Sequence, residues 1–156
     1  MSSTLSSYLP PHDGSLPYWL LFVSIVSIGN SAQAYLSLAG TREVYAGPAQ
    51  SIPSGIPAST ISKTRQNNSP VTELSARTFG TWTALSSIIR LYTAYNIHDP
   101  LIYQLCLWTY AIAFAHFTSE WLVFGTARWG RGLAGPIFIA TGTLTWMLTQ
   151  WSYYVR

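Results

Sequence analysis

Charge is the scarcest property of this chain: Lys, Arg, Asp and Glu together make up 8% of its 156 residues, and only five side chains are acidic. A soluble domain carries about a quarter of its residues as charges, so a soluble fold of this size is excluded and the burial must come from a bilayer. No formal charge falls between Gly14 and Thr41, or between Gly132 and Val155. Histidine is almost as scarce. His12, His98 and His116 are the whole set, too few for a membrane di-iron oxidase, whose metals need several histidine boxes. The single cysteine, Cys106, excludes an intrachain disulfide and a cysteine-based zinc site, and reads as a small buried apolar residue. A net charge of +3 and a pI near 9.2 do not point to nucleic acid, because the eight basic residues are scattered and form no patch.

What the chain has is apolar length: 49% hydrophobic residues, 15% aromatic, and a mean hydropathy of +0.23. A bilayer core about 30 Å thick takes roughly 20 helical residues to cross. Four stretches qualify, at about 17–38, 78–97, 101–124 and 133–155, which predicts an all-α integral membrane protein, a four-transmembrane-helix bundle over residues 16–155. Pro17 suits a first helical turn, Tyr18 and Trp19 suit one interface, and Tyr35 suits the other. Asp99-Pro100 supplies an N-cap and first-turn proline for the third span. The link Asn96 to Asp99 is so short that spans two and three are expected to be antiparallel neighbours. Trp151, Tyr153 and Tyr154 close the chain as an interfacial cluster.

Two segments are too polar to bury themselves. Residues 1–15 are expected to be a disordered tail, and residues 46–70, with Pro48, Pro53, Pro57 and Pro70, a flexible loop. Arg42, Lys63, Arg65 and Arg77 in the first link, and Arg128 and Arg131 in the third, stand against Arg156 alone on the other side, which places the basic loops in the cytosol. Three short motifs mislead. Ala32-Gln33-Ala34 imitates a signal-peptidase site, but no Lys or Arg precedes the run, which is also long for a signal. Gly130-Arg131-Gly132-Leu133-Ala134-Gly135 spells G-x-G-x-x-G without the strand, βαβ unit or ribose-binding acid that a dinucleotide site needs. Asn67-Asn68-Ser69 is a glycosylation sequon followed by Pro70 in a loop expected to be cytosolic.

Polar residues inside the spans carry the remaining information, because leaving them unsatisfied in lipid is costly. At about 1.5 Å per residue, Asn30, Gln33, His116, Glu120 and Arg77 fall at one depth, and Arg90 with Gln104 and Gln150 at another. The economical partner for Glu120 is then Arg77, with His116 one turn away on the same helix face. Their expected role is to fix register between helices; a proton or ion path through His116, Glu120 and Arg90 is the chemical alternative. Ala111, Ala115 and Ser119, and Thr141, Thr145 and Thr149, are ridges along which helices could approach closely. No catalytic, cofactor or metal site is expected.

The run Leu74-Ser75-Ala76-Arg77-Thr78-Phe79-Gly80-Thr81-Trp82-Thr83 resembles the family of ergosterol biosynthetic protein 28. So do Leu16-Pro17-Tyr18-Trp19-Leu20-Leu21-Phe22 with Asn30-Ser31, then Thr41-Arg42-Glu43-Val44-Tyr45. His116-Phe117-Thr118-Ser119-Glu120-Trp121-Leu122-Val123-Phe124, Gly135-Pro136 and Trp146-Met147 complete a likeness over residues 16–155. The stretch from Ala46 to Ser69 is longer than the family's usual link. The resemblance implies a non-catalytic scaffold of the endoplasmic reticulum membrane in ergosterol biosynthesis. It would tether the sterol C-4 methyl oxidase, the decarboxylating 3-hydroxysteroid dehydrogenase and the 3-ketosteroid reductase, with the sterol C-24 methyltransferase associated. Contact with sterol and self-association are left open. On that reading Asn30, Gln33, Arg77, Trp82, Arg90, His116, Glu120 and Trp121 are structural or partner contacts. The competing reading is a small membrane enzyme or transporter acting on a lipid.

Overall fold

A computed structural model describes residues 8–47, 57 and 69–155, and among them the only regular structure is helical. The helices are α1 (Leu16–Leu36), α2 (Leu38–Val44), α3 (Glu73–Tyr95), α4 (Pro100–Leu122), α5 (Arg131–Thr149) and α6 (Trp151–Tyr154). Most of the expected 46–70 loop, with Lys63, Arg65 and the sequon asparagines, lies outside the described residues, as do residues 1–7 and Arg156.

Local chemistry sets the helix ends. Pro17 occupies the first turn of α1, where a missing N–H removes no bond. Asp99 caps α4 by accepting from the Leu101 and Ile102 amides at 2.8 and 3.0 Å, with Pro100 as first residue. The start of α3 lies earlier than the expected Thr78. Thr72 and Ser75 form a capping box in which each side chain accepts from the other's amide, at 3.2 and 2.9 Å, and this adds a turn beginning at Glu73. At the far end, α5 stops at Thr149 and the chain turns at Gln150 into α6, so the expected fourth span is shorter than 133–155.

Among the described residues three helices, α1, α4 and α5, are long and apolar enough to cross a membrane. The expected count was four. α3 has the length, 23 residues, but Ser, Thr, Arg77 and Arg90 make it less apolar than the rest.

Neighbouring helices run antiparallel in the order α1, α3, α4, α5, and α5 returns to α1 through Trp19, whose indole N–H donates to Thr143 Oγ1 at 2.9 Å. The closest pair is α1 with α3. Buried along α3 are the small residues Ala76, Gly80, Thr83, Ser87 and Ala94. Small residues there let the backbones approach, and Ser31 donates from Oγ to the Gly80 carbonyl at 2.6 Å. The expected ridges lie elsewhere: Ala115, Thr141, Thr145 and Thr149 are exposed and Ala111 and Ser119 only half-buried. The α4 and α5 seams use Tyr103, Cys106, Tyr110, Ala113 and Phe117 against Leu133, Ala140, Thr143 and Met147 instead. Large side chains fill these grooves, and Tyr103 ties the pair by donating to the Met147 carbonyl at 2.8 Å.

One end of the bundle is a cluster around Leu16, Leu20, Ile97, Tyr103, Met147 and Tyr154, and the other a cluster around Ala34, Phe79, Phe117 and Leu133. The described part of the expected disordered tail lies against the first end. His12 Nε2 bonds the Tyr95 carbonyl at 2.9 Å, Tyr95 donates to the Tyr8 carbonyl at 2.6 Å, and the His12 and His98 rings meet edge to face at 4.6 Å. Gly14, at φ +88°, passes over the Tyr154 hydroxyl where a Cβ would collide. Phe22, Ile25, Trp108, Ile112 and Phe138 project outward from α1, α4 and α5, as lipid-facing side chains do.

Candidate functional site

At the end of the bundle formed by the second cluster, α2, α3 and α4 enclose an open cleft of about 480 Å³. Three turns of backbone build it. Gly125, at φ +66°, reverses the chain after α4 and returns Thr126 toward the helix it has just left. The Gly47 amide then bonds the Thr126 carbonyl at 2.8 Å, and Ser69 Oγ bonds the Tyr45 carbonyl at 2.6 Å, so both edges of the first link are fastened at the cleft mouth. α2 is held against α5 because Gly132 has no side chain: a Cβ there would collide with the Glu43 carbonyl. The glycines of the false nucleotide motif thus include one that allows a helix contact.

Polar groups at the cleft floor bond to one another. Tyr45 O–H lies 2.7 Å from His116 Nε2. His116 Nδ1 lies 3.9 Å from Glu120 Oε1, too far for a direct hydrogen bond. The other carboxylate oxygen of Glu120 accepts from the Thr126 hydroxyl. Burial pushes the Tyr45 phenol well above its usual pKa, and the Glu120 carboxylate pushes it further, so it stays protonated. Around this floor Tyr45, Phe79, Trp82, His116 and Phe117 pack their rings, most of them edge to face at 5.3 to 5.9 Å.

Of the residues singled out from sequence, the cleft brings together Trp82, His116 and Glu120. Arg77 does not pair with Glu120. It is about half exposed and turns back one turn to Glu73 at 3.8 Å. The early start of α3 gave Arg77 a local acid, and the turn at Gly125 gave Glu120 a local hydroxyl; both are easier to reach than a residue on another helix. Asn30 is half-buried on α1, and Gln33 is exposed and packs on Gly40 of α2. The supposed single layer of five polar groups is therefore dispersed. Arg90 is buried, donates from Nε to Thr109 Oγ1 at 3.1 Å and lies 4.1 Å over the Tyr110 ring; the ring face substitutes for a counterion. Trp121 is half-buried and stacks near Trp129 at 5.1 Å, outside the cleft. Sequence reasoning missed Tyr45 and Thr126. Thr126 follows Glu120 by six residues across a glycine and could have been read as a turn partner; Tyr45 carried no signal for a contact 71 residues away.

A model of the family described as "Erg28 like protein" matches residues 16–145. Ergosterol biosynthetic protein 28 of Candida albicans is 44% identical over 157 residues, covering all of both chains. The protein of that name from Saccharomyces cerevisiae is 42% identical over 90% of this chain and 83% of its own length. The ergosterol biosynthetic protein 28 homolog of Homo sapiens is 35% identical over 86% of this chain and 84% of its own. No solved structure matches.

Proposed function

The chain belongs to the Erg28-like family, and from that premise we propose that it is a non-catalytic membrane scaffold for sterol C-4 demethylation. It holds the methyl oxidase, the decarboxylating 3-hydroxysteroid dehydrogenase and the 3-ketosteroid reductase together in the endoplasmic reticulum, with the sterol C-24 methyltransferase beside them. α3 completes the bundle as a fourth span, its one deep charge, Arg90, covered by Tyr110 and Thr109. The cleft and the basic links face the cytosol, in keeping with their excess of Lys and Arg.

The observation that carries the sterol pathway is the end-to-end likeness to proteins named for ergosterol biosynthesis. What favours a tether over a catalyst is the bonding inside the cleft: Tyr45 is engaged with His116, and Glu120 with Thr126. A scaffold acts by raising effective concentration. Enzymes held side by side in one membrane exchange a poorly soluble intermediate before it diffuses away, and linkage of this kind raises the local concentration of a partner to about the millimolar range. The outward faces of α1 and α4, rich in large apolar side chains, offer surface for such contacts within lipid.

Affinity purification of the tagged chain from native membranes tests this. The four sterol enzymes should come with it, and the isolated chain should turn over no sterol intermediate. Turnover by the chain alone would replace the scaffold with a small membrane enzyme.

A further inference from the structure

The cleft has a polarity that selects for one kind of ligand. Its volume, about 480 Å³, lies in the range of roughly 300 to 1,000 Å³ of sites for small molecules. The α3 wall is mixed: Leu74, Phe79 and Trp82 line it with apolar surface between Ser75 and Thr78, over about 12 Å at the helical rise of 1.5 Å per residue. The floor carries Glu120, and among the described residues no Lys or Arg lines the cleft. Arg77, on the same helix, is turned to Glu73. A carboxylate with no neighbouring cation repels a phosphate, sulfate or carboxylate and accepts a hydrogen bond from a neutral hydroxyl.

The floor also contains a gap of the right width. The Glu120 carboxylate, with Oε1 3.9 Å from His116 Nδ1, favours the imidazole tautomer protonated at Nδ1, and in that tautomer Tyr45 donates to Nε2. That separation is too long for a direct bond, and a single hydroxyl oxygen at about 2.8 Å from each atom bridges it, accepting from Nδ1–H and donating to the carboxylate. We infer that this cleft binds the hydroxyl end of a neutral, rigid, apolar alcohol of the sterol class, seated between His116 and Glu120 with its ring body on Phe79 and Trp82. The choice of a sterol rests on the function proposed above; the preference for an alcohol over an anion or a ketone rests on the geometry.

The test is equilibrium binding of a tritiated 3β-hydroxysterol to the full chain in nanodiscs of neutral phospholipid. Its 3-sulfate, its 3-ketone and a diacylglycerol serve as competitors. One saturable site is expected, with the sulfate and the ketone each at least about tenfold weaker and the flexible diacylglycerol a poor competitor. Glu120→Gln removes the charge that repels anions, so it should weaken the alcohol and bring the sulfate about tenfold closer to it in affinity. Thr78→Trp adds bulk at an exposed position on the cleft wall and should abolish binding without touching the floor; a thermal melt confirms that it folds. Non-saturable binding, equal affinity for the sulfate, full competition by diacylglycerol, or undiminished binding by folded Thr78→Trp would each overturn the inference. Enzyme recovery measured on the same preparations separates the two claims. Enzymes retained without sterol binding removes this inference alone, and sterol bound with no enzyme recovered removes the scaffold alone.

Discussion

Substituting Gly80 by alanine tests whether the α1–α3 contact organises the bundle. A Cβ at Gly80 would lie 3.0 Å from the Tyr35 ring and 3.1 Å from the Ser31 carbonyl oxygen. Neither neighbour moves freely. The Ser31 carbonyl is backbone within α1, and the Tyr35 ring is anchored by its hydroxyl, which donates at 2.6 Å to Thr81 while Thr81 donates to the Arg77 carbonyl. The helices must therefore separate by a few tenths of an ångström, stretching the bond from Ser31 Oγ to the Gly80 carbonyl. Overpacking of this kind costs about 1 to 3 kcal/mol, and a weakened hydrogen bond about 1 more. Against this, alanine gains roughly 0.5 to 1 kcal/mol over glycine in a helix interior. The balance is a net loss of about 1 to 3.5 kcal/mol. At about 2 to 4 °C per kcal/mol for a chain of this length, the melting temperature in detergent should fall by several degrees. Gly142, exposed on α5 with nothing near its missing Cβ, is the control, and Gly142→Ala should melt at or above the parent temperature. A Gly80→Ala protein at least as stable as Gly142→Ala would refute the close approach of α1 and α3.

Three further outcomes follow from the cleft and the links. Tyr45→Phe leaves the half-buried His116 nitrogen without its partner and should cost about 1 kcal/mol near neutral pH. Because the folded-state pKa of Tyr45 is raised, its contribution is complete below the unfolded value of about 10 and declines above it, so melts between pH 9 and 11 should fall less steeply for Tyr45→Phe than for the parent. Glu120→Ala leaves the Thr126 hydroxyl only the Glu120 backbone carbonyl at 3.4 Å and should lower stability by about 1 kcal/mol, with Glu120→Gln milder; equal losses in chemical denaturation would deny the carboxylate a hydrogen-bonding role. Protease added to sealed microsomes should cut between Ala46 and Ser69 if the basic links are cytosolic, whereas full protection, or a glycan on Asn67, would invert the topology.

α1 and most of α5 were legible because charge is absent over whole spans, and α4 because Asp99-Pro100 announces a helix start in two residues. The beginning of α3 was not, since its capping box uses Ser75 where the familiar signature has an acid. That turn decided the fate of Arg77. Depth along a helix axis placed Arg77 and Glu120 at one level but gave no azimuth, and azimuth turned Arg77 to Glu73. The cleft was half legible: Trp82, His116 and Glu120 stood out as polar or aromatic groups in apolar runs, while Tyr45 and Thr126 belong to turns whose paths are set by Gly125 and by the packing of Gly132 on Glu43. The small-residue ridges failed because Ala115 and Thr141 belong to faces that no helix covers, and residue size alone does not say which face is inward.

The central claim is that the chain acts by holding enzymes together, and replacing it with a different tether tests that most directly. In membranes lacking the chain, the sterol C-4 methyl oxidase and the decarboxylating dehydrogenase would be fused through a flexible linker and the conversion of a 4-methyl sterol followed. The scaffold account predicts that the fusion restores most of the flux that the missing chain supported. If the fused enzymes remain as slow as the separate ones while the native chain restores the rate, proximity is not what the chain supplies.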